Sequence, residues 1–446
     1  MAQARFSHDL DSLKTIAAEA LAHAAKQGAS GCEAETSDGY GQTVTVRKGE
    51  VETIEYNRDK SLGVTVYVGQ RKGYASTADF SARAIRDTVE AALTIARFTA
   101  EDQAAGLPDP EDLARRPGDL DLFHPWNPPV EEAIEIAKAC EAAAFRLDKR
   151  VVNSEGASVS CQQWQFALGN SLGFMEGFPT SRHTLSCAVI AAEDGQMQRD
   201  DWYDSQRSVL DLPKPEAVGD YAGRRALARL RSRKIGTMPA SVLFEAPVAN
   251  DLIATFVSAA SGGNLYRKAS FLQDALGREI FSPVVTLEER PHLPRGQASS
   301  WYDDEGVATR ERNVVEDGVL RGYFLGSYSA RKLGMKTTGS AGGNHNLILR
   351  SGEVDLPGLI RKMGRGLLVT ELIGFGVNLV TGDYSRGAAG YWVEGGEIRH
   401  PVEEITIAGN LRDMFRSIAA IGSDALTRGS RTCGSILVEG MTIAGN

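Results

Sequence analysis

"QTVTVRKGEVETIEYNRDKSLGVTVYVGQRKGYAS", residues 42–76, alternates apolar and polar side chains in two runs, 42–56 and 62–76, the second carrying a Gly-flanked turn. Alternation with period two marks half-buried strands, and glycine between such runs marks a hairpin. The stretch predicts antiparallel strands. Before it, Leu10, Leu13, Ile16 and Leu21 recur at helical spacing up to Gly28, and after it Ile85, Val89 and Leu93 share one face of a helix expected over Asp79–Phe98. Strands paired antiparallel between two amphipathic helices make an α+β unit.

The same logic divides the rest of the chain. Residues 101–129 hold a proline cluster and little periodicity, which is linker composition. Pro129 suits the first turn of a helix running to about Leu147. Short β segments follow, and then the basic run "RRALARLRSRK" at 224–234, whose arginines interleave with Leu227 and Leu230 as on a solvated helix face. From Thr237 the chain is β-rich. Runs such as "GLLVTELIG", "GVNLVTG", "AAGYWVEGGEIR" and "EITIAGN" are read as strands, with Asp317-Gly318 and Gly395-Gly396 as hairpin turns. The expectation is an N-terminal α+β domain (1–120), a middle α+β domain (121–235) and a β-rich C-terminal domain (236–446) built as a large antiparallel sheet or open barrel. "VEEITIAGN" (402–410) and "VEGMTIAGN" (438–446) echo one another, which suggests two similar strands in one sheet.

Composition limits the function. With 446 residues, 42% hydrophobic and 24% charged, the chain is an ordinary globular protein of more than one domain. Its first 28 residues form a helix and not a secretory signal, and no stretch reaches the roughly 18 apolar residues of a membrane span. A soluble, cytoplasmic protein is expected. Five scattered cysteines, Cys32, Cys140, Cys161, Cys187 and Cys433, lack any CxxC spacing and fit a reducing compartment. A net charge of −9 argues against a nucleic-acid surface.

The motif search returns mostly exclusions. The chain has no phosphate loop, no GxSxG elbow and no HExxH helix, and its seven histidines are never three to five apart. "GSAGGNHN" (339–346) lacks the strand-to-helix context of an anion loop, and His345 is its one member able to titrate near neutrality. "WYDDEG" (301–306) groups Asp303, Asp304 and Glu305, the pattern of a solvated turn more than of a converging acid/base pair. "TGDYSRGAAGYWVEGG" (381–396) places Asp383, Tyr384, Ser385 and Arg386 in what reads as a Gly-flanked loop between strands, either a binding edge or a wide hairpin whose arginine pairs with Asp383. "NDLIATFVSAASGGNLYRK" (250–268) reads as a helix with a Leu252, Ile253, Phe256, Val257 stripe that stops at a glycine pair and runs into a polar strand.

"SGGNLYRKASFL", "DDEGVATRE", "SYSARKLGMKTTGSAGGNHN", "TELIGFGVNLVTGDYSRGAAGYWVE" and "EITIAGNL", in this order, resemble the C-terminal half of the PmbA/TldD family, specifically its PmbA (TldE) branch. The likeness is looser over the N-terminal "VRKGEVETIEYNRDKSLGVTVYVG". It implies a subunit of a cytoplasmic zinc metallopeptidase that processes or degrades unfolded peptides, paired with a TldD-type sister or with itself when no sister is present. The sister branch carries HExxxH and a C-terminal cysteine ligand. Set against that motif, "ATFVSA" places Ala254 and Ala259 where the histidines stand and Thr255 where the glutamate stands. No residue from 250 to 262 is histidine or glutamate. Zinc hydrolysis needs such ligands and a base, so the chain is expected to bind no cofactor alone, the zinc lying in the partner, and to be active only with that partner. Cys433 matches the place of the cysteine ligand, either a metal contact or a buried small side chain. Asp383, Tyr384, Ser385 and Arg386 are the substrate-binding candidates. The alternatives are an adaptor acting on a topoisomerase, after the family's older association with DNA gyrase, and a metal-free hydrolase using Asp303, Asp304 or Glu305.

Overall fold

The computed structural model describes residues 6–115 and 118–445. Contacts divide them into two compact units, one running up to Ala228 and taking in Trp301–Ala308, the other comprising Arg229–Ser300 and Thr309 onward.

The first unit contains α1 (Leu10–Lys26), β1 (Gly31–Arg47), β2 (Glu50–Val68), β3 (Arg71–Thr77), α2 (Ala82–Phe98), α3 (Val130–Leu147), β4 (Val151–Asn170), β5 (Met175–Glu193), β6 (Gln196–Gln206) and α4 (Pro215–Ala228). Its strands form one antiparallel sheet, ordered β3-β2-β1-β4-β5-β6. β1 pairs with β4 from Glu33–Asn170 to Val46–Ala157, so the segments on either side of residue 120 share a sheet. The β1–β2 turn at Lys48 (φ 53°) and Gly49 (φ 76°) has the doubly left-handed backbone of a tight hairpin. Buried Glu141 of α3 fixes that turn, accepting from the amides of Lys48 and Gly49 at 2.8 Å each.

Sheet alternation decides where the helices sit. Even-numbered residues of β1 (Cys32, Ala34, Thr36, Asp38, Tyr40, Val44, Val46) are buried. Over one end, Ala17, Ala20 and Ala24 of α1 and Ile85, Val89 and Leu93 of α2 pack on Cys32, Ala34, Leu62, Val64 and Val66. The opposite face is polar, with hydroxyl pairs Thr43–Ser160 (2.9 Å), Thr45–Ser158 (2.8 Å) and Thr184–Ser205 (3.0 Å) crossing it.

The second unit contains β7 (Met238–Phe244), α5 (Ala246–Ala259), α6 (Gly262–Tyr266), β8 (Leu287–Glu289), β9 (Arg312–Glu316), β10 (Val319–Leu320), α7 (Ser327–Leu333), β11 (Leu347–Leu349), α8 (Leu356–Met363), β12 (Arg365–Ile373), β13 (Asp383–Glu394), β14 (Glu397–Asn410), α9 (Leu411–Arg416), β15 (Ile418–Ile421), β16 (Leu426–Arg428), β17 (Arg431–Cys433) and β18 (Ile436–Ala444). One sheet runs β14-β13-β12-β7-β18-β15, and β14 also pairs with β18, closing five strands into a barrel. The closure is the repeated sequence pairing with its own echo. Thr406, Ile407 and Ala408 lie opposite Ala444, Ile443 and Thr442, with both isoleucines fully buried. A second sheet runs β10-β9-β8-β11-β17-β16. The fold is thus mixed α+β with a β-rich C-terminal unit, as expected from the sequence.

Three local expectations fail. "GVNLVTG" (376–382) is a turn and not a strand, since the Asn378 side chain accepts from the amides of Val380 and Thr381 and curls the chain. The basic run is not one solvated helix face. α4 ends at Ala228, and Arg225 is enclosed between Asp200 (3.0 Å) and the rings of Trp202 and Tyr221. The segment after α5 is the short helix α6 and not a polar strand. Ser261 and Asn264 both bond the Ser258 carbonyl and turn the chain into that helix.

Candidate functional site

α5 is the axis of the second unit. Pro247 stands in its first turn, and Leu252, Ile253, Phe256 and Ala259 are buried. Phe256 meets Phe281 edge-on at 5.1 Å, and Phe281 stacks on Phe415 at 4.3 Å. Asp251, Ala254, Thr255 and Ser258 keep partial or full exposure. One carboxylate, a methyl and two hydroxyls do not fit a zinc site, which wants histidine, cysteine or several carboxylates at tetrahedral spacing. Among the described residues no three of His, Cys, Asp and Glu converge at metal-binding range.

The chain then folds back on itself. The amide of Gly262 bonds the Phe324 carbonyl at 2.8 Å, and Phe324 N bonds Ala260 O at 3.1 Å, which docks α6 beside α7. Only glycine fits at 262, because a Cβ there would stand 2.2 Å from the Ser329 hydroxyl oxygen. Lys268 takes a left-handed backbone (φ 57°) that ends the turn.

This fold-back builds a cleft of about 630 Å³ lined by Leu265, Tyr266, Lys268, Gln273, Asp274 and Leu276, with Tyr323, Lys332, Leu333 and Met335 across from them. The volume is that of a small-ligand or short-peptide site. Its scaffold is rigid. Tyr323 donates to Leu272 O (2.7 Å) and accepts from Ala275 N (2.9 Å), while Gln273 bonds Leu265 O (2.7 Å). Tyr266 and Tyr328 pack edge to face at 5.6 Å, and the Lys332 ammonium lies 5.4 Å from the Tyr328 ring centre. Lys268 and Lys332 are exposed. The two ammonium groups share the cleft with the Asp274 carboxylate and with the apolar side chains of Leu276, Leu333 and Met335, so it offers charge of both signs beside an apolar patch. Both "SGGNLYRK" and "SARKLGMK" line it, yet neither shows any catalytic spacing, so motif search alone passes over Lys268 and Lys332.

The residues predicted for a site lie elsewhere. Asp383–Arg386 form the first residues of β13, not a loop, because Asp383 pairs with Asn410 and Tyr384 with Gly409. Alternation then splits them between two faces. Asp383 and Ser385 are exposed, and hydrogen bonds from Thr381 and Asn410 hold the Asp383 carboxyl below its ordinary range. Tyr384 is 2% exposed, and burial pushes its hydroxyl well above the usual phenol range. Arg386 turns the same way and pairs with Asp251 of α5 at 2.9 Å, not with Asp383. Buried side chains cannot form the open polar edge that the sequence suggested. Cys433 is fully buried, its thiol 3.7 Å from the Ala246 carbonyl and pushed by burial up to about 12. It packs under the start of α5 as a small apolar side chain. None of these five residues lines the cleft.

Two other motifs resolve into structure. His345 donates its backbone amide to Glu289 (2.9 Å), with its ring Nδ1 at 3.3 Å, and Arg312 Nε meets the same buried carboxylate at 2.7 Å. Asp303 accepts from the amides of Glu305 and Val307 at 3.0 Å each, which makes "WYDDEG" a carboxylate-capped turn.

Comparison with known proteins places these features in a family context. Residues 32–96 match domain 1, residues 123–230 the central domain and residues 236–445 the C-terminal domain of the PmbA/TldA metallopeptidases. The chain is 50% identical over 415 residues to metalloprotease PmbA of Escherichia coli O157:H7, covering 93% of this chain and 92% of that one. A metalloprotease TldD homolog of Haemophilus influenzae is 23% identical over 419 residues, covering 89% and 85%. Among solved structures, a candidate modulator of DNA gyrase from Bacteroides thetaiotaomicron superposes with a TM-score of 0.92 at 28% identity, covering 98% of this chain and 99% of that one.

Proposed function

The chain belongs to the PmbA/TldD metallopeptidase family, and on that premise we propose that it is the supporting subunit of a cytoplasmic zinc peptidase, holding unfolded peptide while a TldD-type partner cuts it. The observation that carries this is the contrast along one segment. α5, which the family resemblance sets against the sister's zinc helix, offers Asp251, Ala254, Thr255 and Ser258 to its surroundings, while the cleft immediately beyond it is lined by Lys268, Lys332 and Asp274 beside Leu276, Leu333 and Met335. The partner's zinc would supply the Lewis acid and the activated water. In this chain Lys268 and Lys332 orient a carboxylate of the peptide, and Leu265, Leu276 and Met335 take an adjoining apolar side chain. Asp383 and Ser385, exposed on β13, remain open to substrate, whereas Arg386 fixes α5 through Asp251 and Tyr384 packs in the core. Cys433 supports the helix start and holds no metal.

The test is reconstitution with a TldD-type subunit. The isolated chain leaves an unfolded peptide intact and the pair cleaves it. Lys268→Ala with Lys332→Ala raises KM about five- to tenfold with little change in kcat, as loss of ground-state contacts requires. Unchanged KM removes the cleft from the account. An adaptor acting on a topoisomerase would instead co-purify with gyrase and without a TldD-type subunit.

A further inference from the structure

The short helix α9 sets Arg412 and Arg416 one turn apart on the same face. Both ends of the helix are anchored. The Asn410 side chain accepts from the Arg412 amide at 3.1 Å, and Phe415 stacks on Phe281 at 4.3 Å while its carbonyl accepts from the Ser282 amide at 3.0 Å. From this base the two guanidinium groups reach over residues 271–280. Arg412 Nη2 donates to the Phe271 carbonyl at 3.3 Å, with the guanidinium 5.6 Å from the Phe271 ring centre, and Arg416 Nη2 donates to the Glu279 carbonyl at 3.2 Å. The segment beneath them is tied down as well, Phe271 N bonding Leu379 O at 2.7 Å and Ile280 N bonding Gly318 O at 3.0 Å. It turns at Gly277 (φ 73°), and Arg278 follows that turn.

Helix and segment enclose a cavity of about 290 Å³, with Arg278, Arg412 and Arg416 around it and buried Phe271, Ala275 and Ile280 in its walls. It shares one wall residue, Gln273, with the larger cleft beyond α6. All three arginines are exposed, and none of them makes an ion pair among the described residues. The cavity has a single carboxylate in its walls, that of Glu279. In a chain of net charge −9 this is a local concentration of positive charge that no described ion pair neutralises. Arg412 and Arg416 each spend one N–H on a backbone carbonyl, which fixes their direction and leaves their other donors for a ligand.

We propose that this cavity binds the phosphoryl group of a small phosphate monoester. Guanidinium forks match the oxygen spacing of phosphate and carboxylate, so shape limits the ligand to an oxyanion. Charge then chooses between them. Three guanidinium groups and one carboxylate leave about two positive charges, which a phosphoryl dianion neutralises and a lone carboxylate does not. The volume lies near the lower bound of small-molecule sites, room for a phosphoryl group and a compact apolar substituent against Phe271 and Ile280. Neither lysine of the cleft takes part, and the binding needs neither peptide nor partner subunit.

The test is a titration of phenyl phosphate into the full-length chain in low-salt, phosphate-free buffer, followed by phosphorus NMR. Saturable binding is expected, weakened by added salt, with inorganic phosphate competing less well and benzoate, which has the same ring and one charge, roughly tenfold less well. Arg278→Ala removes a side chain that makes no hydrogen bond within the described chain and should raise Kd about tenfold. Adding Arg416→Ala should raise it about tenfold again. Unchanged melting temperatures of the unliganded variants separate this from unfolding. No binding at millimolar phenyl phosphate, a Kd indifferent to both substitutions, or benzoate competing as well as phosphate would each overturn the proposal. So would loss of binding in Lys268→Ala with Lys332→Ala but not in Arg278→Ala, which would put the phosphate in the neighbouring cleft.

Discussion

At the scale of single residues, burial and charge decide roles that residue type alone leaves open. Glu33 shows this. Burial first, and the neighbouring Glu305 second, push its carboxyl up to about 7 from 4.5. A carboxyl whose folded pKa exceeds its unfolded pKa stabilises the fold fully below the unfolded value and loses that contribution as pH rises through the folded one. The first unit should therefore gain thermal stability on going from pH 8 to pH 5 relative to a Glu33→Gln variant, in which this part of the pH slope vanishes. Melting temperatures of both proteins at the two pH values check this, and parallel slopes would count against it. Arg386 and Tyr384 teach a related lesson. Their polar, Gly-flanked neighbourhood is legible in sequence, but strand pairing at Asp383 and alternation thereafter turn them inward. The Arg386–Asp251 pair spans 135 residues, a partnership that no local pattern encodes.

At the scale of elements, periodicity served well wherever one face is buried. The 42–56 and 62–76 strands, the helices from Leu10 and to Phe98, and the Asp317-Gly318 and Gly395-Gly396 turns all stand where the sequence puts them. It failed where tertiary contacts override composition. "GCEAETSDGYG" is polar and glycine-rich yet forms the first half of β1, because β2 and β4 pair with it on both sides. "NRDK" interrupts the alternation but stays within β2 because β1 pairs with it residue by residue, from Asp38–Lys60 to Gly41–Asn57. The TIA echo is visible as a repeat, while its meaning, the barrel seam, needs the fold. Ile407→Ala should cost about 2–5 kcal/mol, as for a fully buried isoleucine whose cavity cannot collapse between opposed strands. Urea titration measures it, and a loss below 1 kcal/mol would mean that the seam contributes little to closure.

At the scale of the whole molecule, the first unit brings four helices onto one face of a six-stranded sheet and the second encloses α5 between a barrel and a smaller sheet. Among the described residues no helix is long and apolar enough to cross a membrane. What the sequence conveys at this scale is family membership and the missing HExxxH. The cleft beyond α6 is not legible, since its walls come from segments some 60 residues apart that meet only when Gly262 docks against α7. The central claim is that this chain binds peptide for a partner that holds the zinc. Native mass spectrometry of the tagged protein drawn from its own cells tests it most directly, reporting partner mass and metal in one spectrum. The account predicts a heteromer with a TldD-type subunit whose zinc disappears when that subunit is omitted. Zinc retained in stoichiometric amount by the chain alone would contradict it.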